Sequence, residues 1–191
     1  MILEFCRHPD QYDAVRARPE LVPNAIEETL RYRSPVQGFF RNTLAPFERH
    51  GVTIPAGAKV MLLHGSANHD PTLLPDPERF DVTREPSVHL AVGTGIHMCL
   101  GAPPAPLEAT VLLRRLVGRV ARFEPAGEPV RPHNPLLRGV AHVPVTVTPA
   151  QRARRSLGGR RRAEDGNPPP STLPRVDPAR AGRRRAVAQL G

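Results

Sequence analysis

Residues 92–101 read VGTGIHMCLG, and no other stretch limits the fold as tightly. Gly93, Gly95 and Gly101 surround Cys99, and His97 stands two places before it. Glycine is used where backbone takes positive φ or comes close to another group, so three of them around one thiol imply that something is brought against the backbone beside the sulfur. A helical pattern follows, which sets the cysteine just ahead of a helix N-terminus. Orphan N–H groups and the positive end of the dipole favour thiolate character at such places. A thiolate can be a nucleophile, a redox switch or a metal ligand.

These options are unequal. A nucleophilic cysteine needs a histidine and an orienting carboxylate beside it in space, and His97, two positions away in a loop, generally points elsewhere. For zinc, His89, His97 and Cys99 are only three ligands, without the paired short spacings of structural sites; His89 is read as structural. An axial thiolate on haem iron fits better, because glycine-rich backbone can lie flat against a large planar cofactor and donate N–H bonds to sulfur.

Prolines divide the rest of the chain. "HPDQYDAVRARP" starts a helix at Pro9 and stops it near Pro19. In "LVPNAIEETLRYRSP", Val22, Ile26 and Leu30 recur at spacing four, Pro23 suits the first turn and Pro35 closes the run. Glu28 and Arg31 therefore share a helix face. Between Arg41 and Leu63 the pattern becomes strand and turn, with Pro55 and Gly57 at the second and fourth places of a type I turn in a small hairpin or bent sheet. "ANHDPTLLPDPERFDVTRE" has no sustained period and reads as a long irregular stretch, with His69 and Asp70 as turn formers. After Cys99, one apolar helical stripe runs through Ala109, Leu112, Leu113, Leu116, Val120 and Phe123, opposite Arg114, Arg115, Arg119 and Arg122. Pro106 threatens the interior of that helix. "GVAHVPVTV" alternates as a strand that ends the folded body near Pro149.

The net charge of +9 belongs to one end. Residues 151–191 hold eleven arginines against Glu164, Asp165 and Asp177, whereas the remainder has sixteen basic and fifteen acidic residues. The near-neutral body is thus no nucleic-acid surface, and the Arg/Pro-rich tail at 150–191 is expected to be disordered. Its clusters at Arg154, Arg155, Arg160, Arg161, Arg162 and at Arg183, Arg184, Arg185 allow a rival role, salt-dependent and non-specific binding of nucleic acid or an acidic surface. The tail has no aromatic residue to stack on a base, so specific nucleic-acid recognition is not expected. No stretch approaches the roughly 18 apolar residues of a membrane span. Cys6 and Cys99 show no CxxC spacing and nothing resembles a cleaved signal peptide, so a cytoplasmic setting without a membrane partner is expected. Cys6 is read as a small buried apolar side chain.

Three motifs in order carry a resemblance. "EETLR" holds an ExxR pair, "PERF" an arginine ahead of the cysteine, and "VGTGIHMCLG" the cysteine loop. From about Ile2 to Thr148 the chain resembles the C-terminal half of a cytochrome P450 of the soluble bacterial kind. That resemblance implies a mainly α fold with a small antiparallel β part, in which residues 1–149 form a haem-binding part truncated at its N-terminus. It implies haem b (iron protoporphyrin IX) as cofactor and Cys99 as the axial ligand of its iron. His97 and Arg41 match propionate-binding positions, and Val92, Gly93, Gly95 and Gly101 match the loop against the ring. Glu28, Arg31 and Arg79 match a Glu–Arg–Arg set that locks the second helix to the irregular stretch. No catalytic residue is assigned. The resemblance further implies a monooxygenase that, in its complete form, inserts oxygen into a small organic substrate using a ferredoxin-type electron donor. This chain alone is expected to be inactive, since the central helix with the oxygen-side residues would precede residue 1. Two departures stand out: Val92 replaces the usual phenylalanine, and Pro104 and Pro106 stand where the family tends to carry leucine and arginine.

Overall fold

The computed structural model describes residues 1–85 and 89–151. Apart from its first two residues, the expected tail, with its arginine clusters, lies outside the described residues. The chain opens with three helices, α1 (Ile2–Arg7), α2 (Pro9–Ala17) and α3 (Val22–Arg33). Proline sets their boundaries as expected. Pro9 occupies the first turn of α2, Pro19 opens a 3-10 turn between α2 and α3, and α3 ends at Ser34 before Pro35. A residue ahead of proline avoids the α region, and Ser34 takes a left-handed conformation with φ of 42°. Its hydroxyl steadies that turn by donating to the Arg31 carbonyl and accepting from Asn68 Nδ2, both at 2.8 Å.

The core forms where these helices meet the later elements. Phe5, Tyr12, Val15, Val22, Ala25 and Ile26 are buried with Phe80, Val82, Leu113, Val120 and Phe123. Tyr12 stacks between Phe5 and Phe123 at centroid distances of 5.0 and 4.9 Å. Its hydroxyl donates to the Val120 carbonyl at 3.1 Å, and burial pushes the phenol up to about 12. Arg33 makes a two-pronged contact with the buried Glu4 carboxylate, tying α1 to the end of α3. Cys6 is only partly buried against this core; burial pushes its thiol up all the same, with the Glu4 charge acting in the same direction.

Three antiparallel strand pairs follow, two of them in the region read as a small hairpin or bent sheet. β1 (Phe39–Asn42) pairs with β4 (Lys59–Leu62), and β2 (Phe47–Arg49) pairs with β3 (Val52–Ile54) between them. β5 (Val120–Pro125) pairs with β6 (Val145–Pro149). The turn after β3 is displaced by one residue from its expected register. Ala58 N–H donates to the Pro55 carbonyl at 3.4 Å, which puts Gly57 third rather than fourth. Its φ of +75° is the reason, because a positive φ at the third place of a turn favours glycine. The four-residue helix α4 (His64–Ala67) precedes a stretch at 68–85 without regular elements.

The last helix, α5 (Pro104–Val117), corrects two expectations. Val120 and Phe123 do not extend its stripe; Gly118 caps the helix and both residues drop onto β5 beneath Tyr12. A spacing of three or four suited a helix, but Gly118 is a stop signal. Pro106 is the third residue of α5, where the missing N–H is one of the first four that have no acceptor within the helix. It therefore breaks no hydrogen bond.

Candidate functional site

Glu28 and Arg31 lie one turn apart on α3 and meet in a two-pronged pair. Arg31 Nε donates to Glu28 Oε2 at 2.7 Å and Nη2 to Oε1 at 2.9 Å. Arg31 is 1% exposed, and its other three N–H groups reach main-chain carbonyls: Asn68 and Pro77 at 2.9 Å and Arg79 at 3.2 Å. All five guanidinium donors are used. Glu28 Oε1 also accepts the Asp81 N–H at 2.9 Å. One helix side chain thus holds together a stretch that has no ladder of its own.

Arg79 plays a different part from the one expected. Its guanidinium is exposed and lies 3.6 Å from Asp81, so it gives the cluster only its carbonyl. Arg84 stands at the carboxylate instead, with Nε 3.4 Å from Glu28 Oε2. Its other nitrogens donate to the carbonyls of Pro75, Asp76 and Arg79 at 2.6, 2.9 and 3.2 Å. Four residues separate the two arginines, and the Asp81–Thr83 turn carries Arg84 back over α3. In that turn Thr83 donates to Asp81 Oδ1 through N–H and hydroxyl at 2.9 and 2.6 Å. Burial alone would raise the Asp81 carboxyl, but the Thr83 hydrogen bonds and the Arg79 and Arg84 charges outweigh it and hold it below its usual range.

Asn68 is a second residue that spacing did not reveal. It is 2% exposed; Nδ2 donates to Ser34 and Oδ1 accepts the Leu90 N–H at 2.7 Å. With its carbonyl on Arg31, it joins the end of α3 to the start of the cysteine loop. A lone asparagine beside two turn formers carries no periodic signal. Asp70 does form the expected turn, accepting the N–H and hydroxyl of Thr72 at 2.8 and 2.6 Å; these bonds lower its carboxyl pKa.

The loop doubles back on itself. Cys99 N–H donates to the Val92 carbonyl at 2.9 Å, and a 3-10 turn at Gly95–His97 fills the bend. Gly93 has φ of +73°, and a Cβ there would sit 2.8 Å from the His97 carbonyl oxygen, so only glycine fits. Gly95 has φ of +59° and faces open space. The Gly101 N–H donates to Cys99 Sγ at 3.3 Å. Cys99 is exposed, and so are His97 and the apolar side chains of Ile96, Met98 and Leu100, the last 97% exposed. Arg41, on β1 beside the exposed Phe39 and Phe40, donates to the Phe40 carbonyl at 2.9 Å. No hydrogen bond or ion pair joins Arg41, His97 and Cys99 among the described residues.

This donor set suits a planar apolar group with anionic arms. It has one accessible thiol carrying a single N–H bond, uncovered apolar side chains beside it, and an exposed histidine two residues away that can meet a carboxylate. The cytochrome P450 family model matches residues 6–145. The chain belongs to the cytochrome P450 family.

Among relatives, it is 46% identical over 146 residues to cytochrome P450 CYP199A2 of Rhodopseudomonas palustris and 45% identical over 143 residues to 6-deoxyerythronolide B hydroxylase of Saccharopolyspora erythraea. These alignments take in 76% and 73% of this chain but 35% of each relative. The solved structure of CYP109Q5 from Chondromyces apiculatus superposes with a TM-score of 0.73 at 39% identity, covering 78% of this chain and 39% of that one. The chain therefore spans little more than a third of the length of the P450 relatives it matches. The expected mainly α fold with small antiparallel sheets is the one found. Cytochromes P450 are oxidoreductases that bind haem b and act as monooxygenases. Among the described residues, no helix is long and apolar enough to cross a membrane.

Proposed function

We propose that residues 1–149 form the haem-binding part of a cytochrome P450 monooxygenase, with Cys99 as the axial ligand of haem iron. The observation that carries this reading is the exposed Cys99 Sγ, presented by a glycine-bent loop and held by the Gly101 N–H. Haem bound there would supply oxygen activation, which thiolate ligation promotes by pushing electron density toward O–O cleavage. The chain's own residues do the holding. Gly101 N–H orients the sulfur, and Gly93 and Gly95 keep the backbone low. Val92 and the apolar side chains beside Cys99 would pack against bound haem and exclude water. His97 and Arg41 take the carboxylate arms through charge-assisted bonds.

The Glu28–Arg31 cluster has no part in the chemistry; it fixes the stretch from which the loop departs. A small organic substrate and an electron donor of the ferredoxin type complete the reading. The exposed Arg114 and Arg115 on α5 suit an acidic donor. The setting is cytoplasmic, and the Arg/Pro-rich segment at 150–191 is a separate extension.

The test is to load the chain with haem, reduce it and add CO. A thiolate-type Soret band is expected, and Arg41→Ala combined with His97→Ala should weaken haem uptake without shifting the band. A folded chain that takes up no haem, or gives only the band of a neutral or nitrogen ligand, would contradict the proposal.

A further inference from the structure

His89 lies at the entrance to the cysteine loop, ten residues before Cys99, and its side chain is 6% exposed. Both of its ring nitrogens are engaged. Nε2 is 2.9 Å from Glu27 Oε2 on α3, and Nδ1 faces the Ala91 N–H at 3.3 Å. A backbone N–H can only donate, so Nδ1 is the acceptor and the ring proton resides on Nε2, directed at the carboxylate. The ring is thereby fixed in one tautomer between a helix and a loop.

We propose that His89 is a positioning residue for Cys99, clamping the first peptides of the cysteine loop to α3 through Glu27. The inference rests on the haem-thiolate reading of Cys99. Ala91, whose N–H is held by the ring, is followed by Val92, whose carbonyl takes the Cys99 N–H at 2.9 Å. Leu90 is held on the other side by Asn68. Two successive peptides are thus pinned just before the residue that receives the cysteine backbone. The clamp also gives the paired glutamates of α3 separate work. Glu28 turns to Arg31 and Arg84, and Glu27 to His89. Asn24 and Glu85 line the same crevice, so the ring faces a polar cluster.

Two substitutions divide the ring's duties. In His89→Asn the side-chain oxygen can stand where Nδ1 accepts from Ala91 but cannot reach Glu27. In His89→Gln the side-chain nitrogen can reach Glu27 but leaves the Ala91 N–H unpaired. Amide hydrogen exchange would be followed in the full haem-free chain, and the ferrous-CO band in the haem-loaded one. In His89→Gln, exchange at Ala91 and Cys99 should rise about tenfold, as expected for one lost hydrogen bond, and the thiolate-type share of the CO band should fall. His89→Asn should restore protection at Ala91 but, with no reach to Glu27, leave exchange at Cys99 raised and the thiolate-type share reduced; full recovery of both in asparagine would overturn the link through Glu27. Unchanged exchange and an unchanged band in His89→Gln would overturn the clamp. So would a uniform rise across α2 and α3 that asparagine does not reverse, since that marks general packing. If the unsubstituted chain shows no thiolate band, the haem reading fails, and the exchange pattern still decides whether the clamp exists.

Discussion

The Glu28–Arg31 cluster and the Cys99 loop treat polarity in opposite ways. The cluster buries two full charges and surrounds them with partners, Arg31 using all five donors at 1% exposure. The loop leaves a thiol, a histidine and three apolar side chains in the open, with one N–H on the sulfur. Burying charge is tolerable only when every remaining donor and acceptor is met, which makes the cluster rigid and intolerant of change. The loop contributes little to burial and is free to be shaped for a cofactor. On the proposed haem-thiolate reading, stability and chemistry fall to different residues, joined through Asn68 and His89.

The contrast is broken most severely at Arg31. Arg31→Ala leaves the Glu28 carboxylate buried without its main partner, and should destabilise the chain by about 3–5 kcal/mol in urea unfolding. A smaller change separates the two candidate arginines. Arg84→Ala should cost about 1–3 kcal/mol, since it strips an ion-pair contact and three carbonyl bonds, whereas Arg79→Ala should stay within about 0.5 kcal/mol because its guanidinium is exposed. The reverse order would return Arg79 to the cluster.

Base should act on the core next. The Tyr12 phenol is raised from 10.0 to about 12 by burial. A raised acid favours the folded state while it is neutral, so this contribution is intact below pH 10 and is lost as pH climbs through about 12. Urea unfolding across that window should show a decline that is reduced in Tyr12→Phe. The smallest effect is expected in the loop. Ile96→Ser and Leu100→Ser should each alter stability by no more than about 0.5 kcal/mol, while lowering haem retention in a gel-filtration assay.

Local signals carried much of this arrangement. An ExxR spacing sets two side chains on one helix face whatever surrounds it, and glycines around a cysteine announce a close approach of backbone. Prolines at 9, 19, 23 and 35 marked the helix ends, because their ring and missing N–H act within one turn. What escaped was non-local. Arg84 replaced Arg79 because a turn at Asp81 decides which arginine returns to α3, and Asn68 acts through partners 34 and 22 residues away. The nesting of β2–β3 between β1 and β4 depends on pairing that no single strand encodes. Val120 and Phe123 were misplaced because three- and four-residue spacings fit a helix until Gly118 interrupts it.

The most direct test of the account is the iron–sulfur vibration in resonance Raman spectra of the haem-loaded chain, grown with ordinary or heavy-sulfur cysteine. The account predicts an isotope-sensitive iron–sulfur band that survives Cys6→Ser and disappears in Cys99→Ser, with the stability of Cys99→Ser close to that of the parent. A band that persists in Cys99→Ser, or haem bound stoichiometrically with no isotope-sensitive band, would contradict it.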